Sequence, residues 1–228
     1  MTKIFKVGGC VRDGLLGLKS KDIDFVVEAP SFEAVRQYIL DSNGQIFLEK
    51  PEFLTIRAIV PNLGAADFVL CRKDGEYVDG RRPESVTPGT IFDDLARRDF
   101  TMNAIAECVE TGEIVDPHDG RKHIKSRLIA CVGNPLDRFK EDKLRIFRAV
   151  RFAITKGFAI RGDVTHAMKQ FSHEDFAGVS TERIRDEVLK MFAKDSMVAF
   201  NALFITFPLL GELVLSRGIW FEPTTRKP

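Results

Sequence analysis

The alternation of apolar and polar positions divides this chain into a front part of short strands and helices and a back part of helices alone. Residues 3–7, KIFKV, predict a short strand stopped by Gly8-Gly9, and CVRDGLLGL (10–18) reads as the start of a helix. KDIDFVV (21–27) predicts a second strand, and SFEAVRQYIL (31–40) a helix with Ser31 as its N-cap. FLTIRAIV (53–60) and ADFVLCR (66–72) predict strands joined by a Pro-Asn-Leu-Gly turn, and the polar, Gly- and Pro-rich residues 73–88 predict a loop. Residues 90–109 carry a helical pattern, and EIVDPHDG (113–120) a strand and turn. From residue 137 onward helices dominate: 137–156, 163–171 and 180–193, the last with Ser180 or Thr181 as its capping residue. The expected organisation is an α+β head over residues 1–136 and a helical region over 137–228.

Composition adds bounds. With 228 residues, 44% of them hydrophobic, a real core is within reach, and no apolar run has membrane-spanning length. The N-terminus lacks the apolar centre of a secretory signal, and the four cysteines are scattered with no CxxC pair. A disulfide framework or zinc site is therefore not expected, and a reducing, cytoplasmic setting without a membrane partner is. His118 and His123 form no HxxxH pattern and read as surface or hydrogen-bonding residues. No Ser, Cys or His stands beside a base in a nucleophile pattern, so acyl-transfer chemistry finds no support.

Net charge is only +1, but its distribution is uneven. Residues 1–120 hold 14 Lys/Arg against 21 Asp/Glu, whereas 121–161 hold 12 against 3. A compact basic block after an acidic half points to anion binding near the middle of the chain, with a solvated helix face as the plainer reading.

Strand periodicity puts Asp22 and Asp24 on one side of the second strand, with Ile23, Phe25 and Val27 facing the core. Two carboxylates so close favour a hard cation such as Mg²⁺, which is commonly held by one or two carboxylates together with substrate phosphates. Just upstream, Gly8-Gly9 between strand and helix lets backbone N–H groups approach an anion, and Arg12 stands ready to reach a phosphate. Downstream, Asp142, Arg145, Arg148 and Arg151 recur every three residues, predicting a stripe on one helix whose apolar side is Phe139, Leu144, Phe147 and Val150. One acceptor and several fork-shaped donors on a rigid helix suit a base edge and its phosphates; an ion-pair ladder on a solvated helix is the alternative.

Five segments in order, VGGCVRDGLLGLKSKDIDFVV, LARRDFTMNAIA, DPHDGRKHIKSRLIACVGNP, RFKEDKLRIFRAVRFA and STERIRDEVLKM, resemble the class II (bacterial-type) CCA-adding tRNA nucleotidyltransferases and their poly(A) polymerase relatives. The resemblance implies a polymerase-β-like nucleotidyltransferase head followed by a helical neck, with a truncated body and tail. It implies that the tRNA 3′-hydroxyl attacks the α-phosphorus of CTP or ATP and releases pyrophosphate. It further implies that Asp22 and Asp24 hold Mg²⁺, that Gly9, Arg12 and Arg98 contact the nucleotide, and that Asp142 and Arg145 pair with the base edge. Arg148 and Arg151 match further nucleotide contacts, and YVDGRRPESV (77–86) matches the flexible loop of members that add the terminal A. Asp67 is the candidate third carboxylate, with a strand-start residue facing water as the alternative. A homodimer or partner chain is expected to supply tRNA contacts that a short chain lacks. Open beside CCA addition are poly(A) polymerase or toxin-like transfer to RNA ends and, in another class, a non-catalytic RNA- or nucleotide-binding remnant.

Overall fold

The computed structural model describes residues 2–20, 23–75 and 84–220. In chain order its front elements are β1 (Lys3–Val7), α1 (Gly9–Leu15), β2 (Asp24–Glu28), α2 (Phe32–Asp41), β3 (Gln45–Lys50), β4 (Thr55–Val60), β5 (Gly64–Leu70), β6 (Arg72–Asp74), β7 (Val86–Pro88), α3 (Ile91–Ala96), β8 (Ala106–Cys108) and β9 (Ile114–Val115). There follow α4 (Gly120–Lys125), β10 (Leu128–Ile129), α5 (Pro135–Glu141), α6 (Leu144–Lys156), β11 (Ala159–Ile160), α7 (Gly162–Met168), α8 (Thr181–Lys194), α9 (Ser196–Phe200) and α10 (Pro208–Ser216). The α+β expectation holds.

Seven strands form one sheet in the order β3-β4-β5-β2-β1-β8-β9, with β2 and β5 parallel and the other neighbours antiparallel. The central strands of the sheet are covered on both faces, while one face of β3 and β4 stays open. Phe25 and Val27 pack with Phe68, Leu70 and the α2 residues Val35 and Ile39, and the Phe25 and Phe68 rings stack with centroids 5.1 Å apart. Val26 goes the other way, to Ile91 and Leu95 of α3. Burying each such side chain contributes about 1.5–3 kcal/mol. A third cluster joins front to back: Val11, Phe100, Met102 and Ile105 pack with Phe139, Phe147 and Val150 and, through α8, with Ile184 and Val188. That shared core holds α1 and the segment around residue 100 against α6, which places the site.

Several expectations need correction. Ile23 does not face the core but is 40% exposed, while Val26 is buried, because β2 is central and both its faces are covered past Asp24. The helix expected over 90–109 stops at Ala96 after a capping box from Thr90 and Asp93. Asp99 then accepts the Phe100 N–H at 2.7 Å and an amide hydrogen of Asn103 at 3.0 Å, a local alternative to helix, and residues 106–108 pair with β1 as a strand. Within 73–88, Lys73–Asp74 and Val86–Pro88 belong to the paired strands β6 and β7, so this stretch is not all loop. Edge strand β3 escaped the pattern because it is mostly exposed and carries a register shift between Ile46 and Leu48. The single helix over 137–156 is two, broken at Asp142, whose φ of −152° and ψ of 105° are extended. Ser31 caps α2 by accepting the Ala34 N–H at 3.1 Å, whereas Ser180 occupies the N-cap of α8 without a side-chain capping bond.

Candidate active site

The strand β1 ends where Gly8 takes a φ of 71°, and α1 begins at Gly9. The turn lets Arg98 lie across the backbone: a Cβ on Gly8 would sit 2.9 Å from its Nη1. Arg98 is aimed by Asp94, whose Oδ2 accepts from Nε at 3.1 Å and Nη2 at 2.8 Å. Arg98 Nη1 also donates to the Asn103 backbone oxygen at 3.3 Å.

Arg12, in α1 and only 6% exposed, donates from Nη1 to Asn103 Oδ1 at 2.6 Å and from Nε to Asp13 Oδ1 at 2.8 Å. Asn103 in turn donates to Asp99 Oδ1, and Asp99 Oδ2 accepts from Arg148 Nε at 2.8 Å and Nη2 at 2.6 Å. Burial alone would raise the Asp99 pKa. The Arg148 charge, with hydrogen bonds from Asn103 and Arg148, outweighs it and holds the carboxyl down to about 2. Arg151 donates to Glu187 of α8, and Arg148 lies 3.8 Å from the same carboxylate. The Phe152 ring lies beneath three guanidiniums, with Arg151 at 3.8 Å from its centroid, Arg12 at 5.2 Å and Arg148 at 5.5 Å.

Arg145 donates from Nη1 to Glu141 Oε2 at 2.6 Å and to the Arg138 carbonyl at 3.1 Å, and from Nη2 to the Arg97 carbonyl at 3.0 Å. Five guanidinium hydrogens are available, so Nε and the second Nη2 hydrogen remain for another acceptor among the described residues. Asp142 accepts from Leu144 N–H at 3.1 Å on Oδ1 and from Arg183 Nη2 at 2.7 Å on Oδ2. The expected four-residue stripe on one helix is therefore three arginines on α6 plus an aspartate in the break before it. The extended backbone at Asp142 lets its carboxylate cap α6 and meet Arg183.

These pieces line one cleft of about 790 Å³, shared by Gly8, Gly9, Arg12, Asp24, Arg98, Asp142, Arg145, Arg148 and Arg151. Of the candidate site residues, Asp67 lines a neighbouring cleft instead, and Asp22 lies outside the described residues, as does 76–83, most of the stretch matched to the flexible loop. Sequence reasoning passed over Asn103, Asp99, Glu187, Arg183 and Phe152, which join or orient the arginines. Glu141, four residues before Arg145, had a legible helical spacing; Glu187 and Arg183 sit on α8, with no local signal linking them to α6.

Asp24, exposed at the head of β2, is in register with Asp67 of the parallel strand β5, so both emerge on one sheet face. Oxygen donors at the mouth of a phosphate-sized cleft fit a hard divalent cation. Asp67, however, is gripped by Arg57 through bonds of 2.7 and 2.8 Å, which hold its carboxyl below the usual range. Among the described residues no three metal-ligating side chains come together, nor is any single helix long and apolar enough to cross a membrane. The four cysteines are free.

Comparison with known proteins gives the arrangement a context. Residues 4–130 match the family described as the poly A polymerase head domain, and residues 157–213 the one described as "probable RNA and SrmB- binding site of polymerase A". The chain is 40% identical over 221 residues to the CCA-adding enzyme of Geobacillus kaustophilus, covering 91% of this chain and 51% of that protein. It is 38% identical over 217 residues to that of Geobacillus stearothermophilus, covering 92% and 49%. The chain thus spans about half the length of the curated relatives it matches. Among solved structures, the Bacillus stearothermophilus CCA-adding enzyme in complex with CTP aligns over 95% of this chain and 53% of that one, with a TM-score of 0.77 and 32% identity. The Thermotoga maritima CCA-adding enzyme complexed with tRNA aligns over 97% and 50%, with a TM-score of 0.75 and 26% identity. The chain belongs to the family of class II CCA-adding tRNA nucleotidyltransferases and poly(A) polymerases.

Proposed function

We propose that this protein is a template-independent tRNA nucleotidyltransferase that adds CCA, or part of it, to tRNA 3′ ends from CTP and ATP. The observation that carries the reading is the single cleft in which a glycine turn, Asp24, an arginine set and the Asp142–Arg145 pair meet. On this reading residues 1–136 form the catalytic head and 137–228 a helical neck, working in the cytoplasm on a tRNA partner. A second copy or a partner chain supplies further tRNA contacts.

The triphosphate lies over Gly8-Gly9 and is held by Arg12, Arg98, Arg148 and Arg151, whose carboxylate and amide partners fix them before the nucleotide arrives. The Watson–Crick edges of cytosine and adenine each present an amino donor beside a ring-nitrogen acceptor. Asp142 meets the first and Arg145 the second, while uracil and guanine present the reverse pattern. Asp22 and Asp24 are the residues that would hold Mg²⁺, which would offset charge on the reacting phosphate and lower the pKa of the attacking hydroxyl. The 3′-oxygen forms a bond to the α-phosphorus, the bond from that phosphorus to the bridging oxygen breaks, and pyrophosphate departs. The hydroxyl proton passes to water, since both carboxylate oxygens of Asp67 already accept from Arg57.

The test supplies Mg²⁺, tRNAs ending before, within and after CCA, and each nucleotide singly. Ordered addition of C, C and A with termination is expected. Unlimited A addition to any RNA identifies a poly(A) polymerase instead. No incorporation, with wild type equal to Asp22→Ala/Asp24→Ala, leaves the non-catalytic reading.

A further inference from the structure

Asp24 borders two clefts. Besides the arginine-lined one, it lines a second of about 670 Å³ on the outer side of β4 and β5, with Phe47, Arg57, Ala65 and Asp67. Two features of this second cleft are unusual for a sheet surface. Phe47, on edge strand β3, is 53% exposed and lines the cleft together with Leu63 and the small residues Gly64, Ala65 and Ala66. Arg57, whose side chain is 59% exposed, is held in a fixed fork by Asp67, its cross-strand partner. Those two bonds use Nε and Nη2 and leave Nη1 without a partner among the described residues. A rigid cation and an open aromatic face stand together beside the carboxylate that the reaction needs.

In-line phosphoryl transfer places the attacking and leaving oxygens on opposite sides of the phosphorus. The glycine turn and Arg12 hold the leaving side in the first cleft, so the attacking hydroxyl enters past Asp24 from the second. We propose that the cleft between Phe47 and Arg57 seats the terminal nucleotide of a single-stranded RNA 3′ end. Its base stacks on Phe47 and its 5′-phosphate meets Arg57 Nη1. Stacking tolerates any base, which suits an acceptor whose last residue changes with each addition, and Arg57 offsets the negative field of Asp67 along the phosphate path. The inference deepens the proposed function and rests on it for the identity of the attacking group.

Its test needs no turnover. An RNA hairpin with a short single-stranded tail ending in 2-aminopurine is titrated with the full chain, and terminal-base emission is read alongside CTP binding. Wild type is expected to quench the emission. Phe47→Ala should abolish the quench and weaken RNA binding by roughly 5- to 150-fold with CTP binding unchanged, and Phe47→Trp should retain both. Arg57→Gln should weaken RNA binding and flatten its salt dependence. A terminal base unquenched by wild type, or quenched equally by Phe47→Ala, overturns the subsite. Failure of the proposed function reads differently, as a bound and quenched RNA end to which no nucleotide is ever added.

Discussion

Arg148 and Asp99, 49 residues apart in sequence, meet in a fork in which Nε and Nη2 of the arginine, at 2.8 and 2.6 Å, share one carboxylate oxygen. The other oxygen accepts from Asn103 and the Phe100 backbone, so Asp99 ties α6 to the segment that carries Arg98. Asp99→Asn leaves Arg148 underpaired and is expected to cost about 1.5–3 kcal/mol. The lower end applies because a third of the Arg148 side chain is exposed. Denaturant unfolding measures the cost, and a CTP titration should show weaker binding.

The same carboxylate predicts an acid response. Its pKa is held at about 2 in the folded chain against about 3.9 when unfolded. Its contribution is complete above about pH 5 and is lost as pH falls toward 2, because the unfolded chain takes up the proton first. Acid titration of wild type and Asp99→Asn should therefore converge below about pH 5; a constant gap across that window refutes the assignment.

Asp24 is exposed, so Asp24→Asn should change stability by no more than about 0.5 kcal/mol. Nucleotide incorporation should fall by roughly a thousandfold or more. Thermal melts beside incorporation assays check both halves. Full activity in this variant would remove Asp24 from the chemistry.

Gly8→Ala tests the turn. The φ of 71° and the 2.9 Å approach to Arg98 Nη1 both oppose a side chain, and the strain should cost about 1–2 kcal/mol. Because Arg98 must shift off the turn, KM for CTP should rise more than kcat falls. Stability loss with unchanged KM would mean that Arg98 does not serve the nucleotide.

Arg183 touches Asp142 at 2.7 Å and, on the proposed roles, positions it. In Arg183→Ala, discrimination of CTP against UTP should drop about tenfold while incorporation of CTP falls less, with Arg183→Lys restoring part of the selectivity. Equal losses for both nucleotides would reduce Arg183 to a structural contact.

How much of this was legible follows from the kind of signal each residue left. The glycine turn, Arg12 and the spacing from Asp142 to Arg151 were visible because each lies in one continuous segment. The burial of Val26 was not, since a central strand covered on both faces loses its alternation past Asp24. The break at Asp142 was hidden because the residues on either side both have helical spacing, and only the tertiary partner Arg183 reveals why the chain extends there. Asn103 and Asp99 sat within a recognised segment, yet their function is to join arginines from three distant stretches, which no local pattern encodes.

Arg145, Arg148 and Arg151 share a single unbroken helix, whose first and last members stand about 9 Å apart along the axis. On the proposed roles this makes α6 a caliper: one jaw meets the base and the other grips the phosphates, with no joint between them. A nucleotide whose base fails to seat cannot slide to compensate without dragging its phosphates out of line. Fidelity in such a device is paid in reaction rate more than in affinity, so a wrong nucleotide should bind, wait and leave.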